Sequence, residues 1–292
     1  MNKSFLPTAV LLLLMMGVNS CSFFKGKQNN DRTNDNLVGD VMQVTENQFM
    51  AVQNFDEVKK GEPYRPDEGD WDWIRRYDRE GNLEVIIQIS MIGDTIGYTR
   101  FEYDTEHPTQ KKSQLDYNKD GVLVMRTDKS YDEQGREIRS YTTDASGRPV
   151  QVTTMEYVGS DKKTVHYTGD GKVQFKTIET MNSKNCPLST IQKNASDQVI
   201  GLHKDSWKGE LRDSTVFYDE NGQMASAIGF DYDQYGNLIN QHGVDGQGNP
   251  FLPVVYKYKY DGVGNWYECV KYNGDKPEYV IERIIDYYPK KK

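Results

Sequence analysis

The chain has 292 residues, with 36 basic and 44 acidic residues and a formal charge of −8 at pH 7. No basic stripe is present to neutralise a phosphate backbone, so the composition argues against a nucleic-acid partner. The length suffices for one large sheet or a substantial core, and 20 tyrosines against 10 phenylalanines favour aromatic surfaces whose rings pack while their hydroxyls stay wet.

Residues 1–20 have the pattern of a signal peptide. Lys3 supplies the positive charge, residues 9–16 form an apolar run, and small or polar residues lead to Cys21. The run is too short to span a bilayer comfortably and polar sequence follows it, which indicates a segment that is cleaved. An ordinary secretory signal that happens to contain a cysteine is the alternative interpretation.

Residues 18–21, Val-Asn-Ser-Cys, resemble the lipobox of bacterial lipoproteins. The resemblance implies that Cys21 is lipidated, becomes the new N-terminus and anchors the chain to a membrane. Asn19 departs from the family, which prefers a small residue there. Ser22 after the cysteine, in place of Asp, implies the outer membrane, and the sequence leaves open whether the chain faces the periplasm or the surface.

Residues 21–36 are predicted to be a linker, and its part from 28 to 36 is expected to be disordered because it is rich in Asn and Asp. From 37 to 288 the chain consists of short β-type runs separated by glycine-containing turns. The predicted fold is all-β, an antiparallel meander of repeated β-hairpins that forms an extended, curved sheet.

One turn unit recurs along this region: Tyr or another residue, then Asp or Asn, two further residues, and Gly. The Asp or Asn opens a type I turn, and the Gly takes the left-handed position that closes a bulged hairpin. The predicted turn glycines are Gly81, Gly121, Gly135, Gly147, Gly222, Gly236, Gly248 and Gly264.

The turn model also predicts aromatic-on-apolar pairs across the strands, each stabilising the sheet by some tenths of a kcal/mol up to about 1 kcal/mol. The expected pairs are Tyr77 with Leu83, Tyr218 with Met224, Tyr232 with Leu238, and Tyr260 with Trp266. The glycine spacing of 14 and then 12 residues occurs twice, from Gly121 and again from Gly222. It indicates two related arrays, at about 115–181 and 216–288.

These units resemble the YD repeats of bacterial Rhs-type proteins and of many short bacterial lipoproteins. The resemblance covers most of residues 75–288 and rests on the number of copies, such as Tyr232-Asp233-x-x-Gly236-Asn237. It implies a continuous meander of antiparallel strands. Short lipoproteins of this kind are typically of uncharacterised function.

No motif argues for catalysis, so the chain is predicted not to be an enzyme and to need no cofactor. The four histidines lie far apart, without metal-ligand or nucleophile–base spacing. Residues 116–121 have the spacing of a calcium loop, but Thr127 stands where the bidentate Glu belongs. A turn is the favoured interpretation of that segment, and no metal is predicted.

Trp71, Trp73 and Trp266 are candidate ligand-binding residues, because indole rings stack on sugars or peptides. Packing within the sheet is the favoured alternative. Cys186 and Cys269 could pair in an oxidising compartment, and the favoured interpretation is that they do not bond to each other.

The leading hypothesis is a lipid-anchored, extracytoplasmic, non-catalytic binding or scaffold protein of the outer envelope. Its expected partners are the membrane and an envelope protein or neutral glycan. The alternatives are a carbohydrate-binding component of a glycan-uptake system and a hydrolase with a converged carboxylate pair.

Overall fold

The computed structural model describes residues 30–64, 72–90 and 93–290. Within this part of the chain there are one short helix, α1 (Asp31–Asn34), and nineteen strands. The strands are β1 (Val41–Asn54), β2 (Glu57–Pro63), β3 (Asp72–Tyr77), β4 (Leu83–Ile89), β5 (Thr95–Tyr103), β6 (Lys111–Asn118), β7 (Leu123–Tyr131), β8 (Glu137–Asp144), β9 (Pro149–Val158), β10 (Asp161–Thr168), β11 (Val173–Met181), β12 (Pro187–Asn194), β13 (Val199–Lys208), β14 (Leu211–Tyr218), β15 (Met224–Tyr232), β16 (Leu238–Asp245), β17 (Val254–Tyr260), β18 (Trp266–Asn273) and β19 (Lys276–Tyr287).

The turns have the geometry that the sequence predicts. In the turn 233–237, the Asp233 carboxylate accepts hydrogen bonds from the backbone N–H groups of Tyr235 and Asn237, at 2.8 and 2.9 Å. All eight predicted turn glycines lie in the left-handed region, with φ from 75° at Gly135 to 106° at Gly264. The register contains all four expected aromatic-on-apolar pairs, so that prediction is confirmed.

The meander closes on itself. β1 pairs with β19 from Val41↔Tyr287 to Met50↔Tyr279, and its other edge pairs with β3 from Gln43↔Arg76 to Glu46↔Trp73. The strands β1 and β3 to β19 therefore form a closed barrel of eighteen antiparallel strands, and β2 lies outside this ring, paired with the end of β1. The all-β antiparallel prediction is confirmed. The extended, curved sheet is wrong, because pairing the first and last strands removes two edges that an open sheet exposes.

The turns alternate between the two ends of the barrel, since each strand runs opposite to its neighbours. We call the end that holds the start of β1 the N-terminal mouth, and the other end the distal mouth. The N-terminal mouth contains the turns 78–82, 104–110, 132–136, 159–160, 182–186, 209–210, 233–237 and 261–265.

Residues 30–40, which we call the N-terminal segment, pack into the N-terminal mouth. Asn30 caps α1 through a capping box, and Leu37 joins a buried cluster with Val41, Val44, Tyr77 and Leu83. The expected disorder is therefore wrong for residues 30–36. Their Asn and Asp side chains, which favour disorder in a free chain, find hydrogen-bond partners on the barrel.

No helix in the described part of the chain has the length and apolar character that a membrane crossing needs.

Candidate functional site

The N-terminal mouth holds a cavity of about 810 Å³, which we call the mouth cavity. The N-terminal segment forms one wall, and the opposite wall comes from the inward faces of β14 to β19. On the barrel side, aromatic and aliphatic side chains stand beside charged and polar ones. The lining includes Arg75, Lys184, Lys208, Glu210, Leu211, Tyr232, Tyr235, Leu238, Tyr258, Trp266 and Arg283.

Two arginines of the cavity lie on tryptophan rings. The Arg283 guanidinium lies 3.5 Å from the centre of the Trp266 ring, and its Nε is 2.9 Å from the Glu46 carboxylate. Arg75 lies 4.0 Å from the Trp73 ring centre and 2.8 Å from Asp35. Stacking on one side and a carboxylate on the other fix both guanidinium groups.

Carboxylates of the N-terminal segment dock on a repeated pair of side chains, a tyrosine with a basic residue. Asp35 accepts a hydrogen bond from the Tyr77 hydroxyl and pairs with Arg75. Asp31 accepts from the Tyr103 hydroxyl at 2.6 Å and from Lys111 Nζ at 2.6 Å. Burial raises the pKa of Tyr103, and the hydrogen bond to Asp31 raises it further, so this hydroxyl stays a donor at neutral pH.

Asparagines that follow turn glycines bind the same segment. Asn265 Oδ1 accepts from the Val38 N–H at 2.7 Å, and Asn265 Nδ2 donates to the Val38 carbonyl at 2.8 Å, as a neighbouring strand would. Asn36 Nδ2 donates to Asn237 Oδ1 and to the Tyr235 carbonyl, both at 2.9 Å. The mouth thus binds the N-terminal segment through both its backbone and its side chains.

A second group of polar side chains lies on β13 to β15, on the far wall from the N-terminal segment. The Asp205 side chain is fully buried. Its Oδ1 accepts from Thr215 Oγ1 at 2.6 Å and lies 3.6 Å from Arg212 Nε, and its Oδ2 lies 3.6 Å from His203 Nε2. Asp205 Oδ2, Arg212 Nε and the Tyr232 hydroxyl are buried atoms without a hydrogen-bond partner among the described residues. Unpaired buried polar atoms are uncommon and costly, so this group has unused capacity to bind.

The structure places two of the three candidate tryptophans together. Trp73 and Trp266 are partly buried, and Arg283 lies within 5.9 Å of the first ring centre and 3.5 Å of the second. Trp71 and Cys21 lie outside the described residues. Sequence reasoning missed Arg212, Tyr232 and Asp205 as a group, because their proximity depends on strand register.

Cys269 is a free, buried thiol, and burial raises its pKa to about 12. Cys186 is disulfide-bonded. The prediction that these two cysteines do not bond to each other is therefore confirmed.

The residues of the calcium-like segment serve the turn. Asn118 Oδ1 accepts from the N–H groups of Asp120 and Val122, both at 3.0 Å. The described residues contain no group of three or more His, Cys, Asp or Glu side chains arranged to hold a metal ion.

Comparison with known proteins gives weak similarities. No family model and no curated protein matches the chain. Among solved structures, the chain is similar to a porin-like protein from Bacteroides uniformis ATCC 8492, with 11% identity, a TM-score of 0.31, and coverage of 84% of this chain and 96% of that one. A porin-like protein from Bacteroides vulgatus ATCC 8482 gives 13% identity, a TM-score of 0.31, and coverage of 85% and 98%.

The toxin structure TcdB2-TccC3 without its hypervariable C-terminal region gives 12% identity and a TM-score of 0.24, over 69% of this chain and 14% of that one. Similarities at these identities and TM-scores carry no inference about function. The barrel itself is defined by the strand pairings of this chain.

Proposed function

We propose that this chain is a lipid-anchored, extracytoplasmic, non-catalytic barrel that binds a partner at the bacterial outer envelope. The observation that carries the proposal is the position of the N-terminal segment, which ties the start of the mature chain to one mouth of the barrel. Asn30 lies nine residues after Cys21. Because an extended chain spans about 3.5 Å per residue, an anchor at Cys21 holds the N-terminal mouth within roughly 30 Å of the membrane.

Charged side chains on the outward face of the wall favour a barrel that lies in water beside the membrane over one that is embedded in it. Strand alternation directs Tyr103 inward and Glu102 outward, and the outward residues Arg126 and Asp128 lie in the middle of β7. Arg126 Nη2 is 2.8 Å from Asp128 and 3.7 Å from Glu102, and all three side chains are more than a third exposed. A basic residue on a lipid-facing wall costs about 2–4 kcal/mol at the bilayer midplane, whereas in water this cluster is at no disadvantage.

Replacement of Cys21 tests the anchor. Wild type is expected in the membrane fraction with a lipid-modified N-terminal peptide, and Cys21→Ala as soluble or uncleaved protein. Cys269→Ala is the matched control and should fractionate as wild type does. The mass of the N-terminal peptide before and after reduction provides a second readout. A thioether-linked lipid on Cys21 leaves the mass unchanged by reduction, whereas a disulfide at the same sulfur would be cleaved. Membrane association of Cys21→Ala, or a reducible bond at Cys21, would contradict the anchor.

A second candidate function is carbohydrate binding within a glycan-uptake system. The observation that favours it is the aromatic wall of the mouth cavity, where Tyr258 and Trp266 lie with ring centres 5.5 Å apart and Tyr235 is 42% exposed. Aromatic faces with few polar groups are typical of sites that stack neutral sugars. Binding of neutral oligosaccharides is one arm of the experiment that closes the next subsection.

A further inference from the structure

Tyr232 departs from a hydrogen-bonding pattern that several other inward aromatic residues near the N-terminal mouth follow. Five aromatic side chains each donate to the backbone carbonyl of the residue twenty positions earlier, at the start of the preceding strand: Tyr103 to Leu83, Tyr131 to Lys111, Tyr157 to Glu137, Trp207 to Pro187, and Tyr258 to Leu238. The corresponding residue for Tyr232 is Arg212, and no such bond forms. The Tyr232 hydroxyl is buried without a partner among the described residues.

Arg212 lies at the start of β14, next to the end of β15 that holds Tyr232, and its Nε has no hydrogen-bond partner among the described residues. Its charge acts on Tyr232, lowering the pKa of the phenol against the burial that raises it to about 12. Arg212 Nε is 3.6 Å from Asp205 Oδ1, a distance at which the charges attract but no hydrogen bond forms. The pair therefore offers two buried donors, the phenol O–H of Tyr232, which lines the mouth cavity, and the guanidinium N–H of Arg212 on the neighbouring strand.

The same pair of residue types is occupied elsewhere in the mouth. Tyr77 with Arg75 holds the carboxylate of Asp35, and Tyr103 with Lys111 holds that of Asp31. We propose that the mouth cavity binds an acidic peptide, whose carboxylate docks on Tyr232 and Arg212 as Asp35 docks on Tyr77 and Arg75. The site deepens the proposed binding role by naming the partner class.

A polypeptide fits the mouth better than other carriers of a carboxylate, because the mouth already holds one. Asn265 binds both backbone groups of Val38, and this arrangement needs a peptide unit. The volume of about 810 Å³ lies within the usual range of ligand sites, and Leu211, Leu238 and Trp266 supply apolar contacts beside the two donors.

Direct binding to the purified full-length mature protein tests the proposal. The probe is a fluorescent peptide with the sequence of residues 30–40, Asn-Asp-Arg-Thr-Asn-Asp-Asn-Leu-Val-Gly-Asp, and its control has Asn in place of the two aspartates at positions 31 and 35. Fluorescence anisotropy is expected to show binding of the acidic probe and a loss of about tenfold or more for the control, because a hydrogen-bonded charge is replaced by a neutral amide.

Variants of the barrel locate the site. Tyr232→Phe and Arg212→Gln are each expected to weaken binding of the acidic probe by about tenfold. Tyr218→Phe and Arg139→Gln are the matched controls on other parts of the wall and should leave it unchanged. Arg212→Gln removes the cation beside the buried Asp205 carboxylate, so this variant can lose binding by misfolding. Tyr232→Phe keeps the ring and removes only the hydroxyl. With a melting temperature equal to that of wild type, Tyr232→Phe therefore decides whether the hydroxyl binds the probe.

Three results would overturn the proposal. One is the absence of probe binding, or binding that Tyr232→Phe does not weaken. Another is binding that Tyr77→Phe alone weakens, which would mean that the probe exchanges with the N-terminal segment. The third is binding of neutral oligosaccharides, lost in Tyr232→Phe, without peptide binding, which would favour the carbohydrate function. None of these results depends on Cys21, so failure here is distinguishable from failure of the lipid anchor.

Discussion

Gly236 shows at residue scale why the turn motif needs glycine. Its φ is 84°, and a Cβ added there would meet nothing closer than Asn36 Nδ2 at 3.8 Å, so the space is open and only the backbone resists substitution. Gly236→Val is expected to cost on the order of 1–3 kcal/mol of the free energy of unfolding, measured by denaturant titration. Equal losses for Gly236→Val and for a change at the neighbouring Gln234 would contradict the turn model.

Two other turns of the chain show which residues besides glycine can occupy the position of Gly236. Asn185 and Asp197 stand where other turns have glycine, with φ of 58° and 64°. Short polar side chains tolerate the left-handed region better than β-branched ones. Gly236→Asn is therefore expected to cost clearly less than Gly236→Val, and the reverse order would show that side-chain contacts dominate.

At the scale of elements, the N-terminal segment is held by hydrogen bonds from turns that are far away in sequence. Asn265 is 2% exposed and satisfies the N–H and C=O of Val38 as well as the Tyr287 hydroxyl. Asn265→Ala leaves these groups without their partner and is expected to lower the free energy of unfolding by about 1–3 kcal/mol. It should also make residues 30–40 more sensitive to proteolysis.

Asn249→Ala is the matched control for this prediction. Asn249 has the same place in an Asp-x-x-Gly-Asn turn, but it lies at the distal mouth, is exposed, and donates only to Asp245 of its own turn among the described residues. Its replacement should cost much less. If both alanine variants unfold at the same denaturant concentration, the contact with the N-terminal segment does not stabilise the protein.

At the scale of the whole molecule, closure of the barrel has a measurable signature in hydrogen exchange. β1 and β19 are paired along most of their length, whereas the pairing of β16 with β17 consists of Asn240↔Val255 and Gln241↔Val254. Amides of residues 43–50 and 279–287 are expected to exchange slowly, and those on the β16–β17 seam faster, because exchange follows the local density of protected hydrogen bonds. Fast exchange in both β1 and β19 would mean that the sheet is open.

The inward wall contains polar pairs whose two members lie on neighbouring strands. Lys162 and Glu179 pair at 3.0 Å across β10 and β11, and Thr127 and Thr142 share a hydrogen bond of 2.9 Å across β7 and β8. Polar side chains on the inward face thus have partners on the neighbouring strand at these positions. In the proposed setting, with water on both sides, a one-layer barrel gains little from apolar burial, and its stability rests on strand pairing and on the packed N-terminal mouth.

The sequence alone determined the turns, the strand type and the pairs next to each turn. These features involve residues within one hairpin, such as Tyr232 and Leu238, so a local pattern fixes them. The sequence also indicates which turns share an end of the sheet, and this information was not used to predict the mouth. Counting strands places the turns that end in Asn82, Asn237 and Asn265 at one end of the sheet and the turn that ends in Asn249 at the other.

The tertiary structure alone decided closure, the place of the N-terminal segment and the composition of the mouth cavity. Val41 meets Tyr287, Asn36 meets Asn237, and Tyr77 meets Asp35, contacts that no repeat unit encodes. The repeats specify how each strand pairs with the next. An open sheet and a closed barrel contain the same pairs of consecutive strands, so the repeats do not distinguish them. Only the summed twist of all the strands, together with edges at β1 and β19 that are complementary, brings the two ends together.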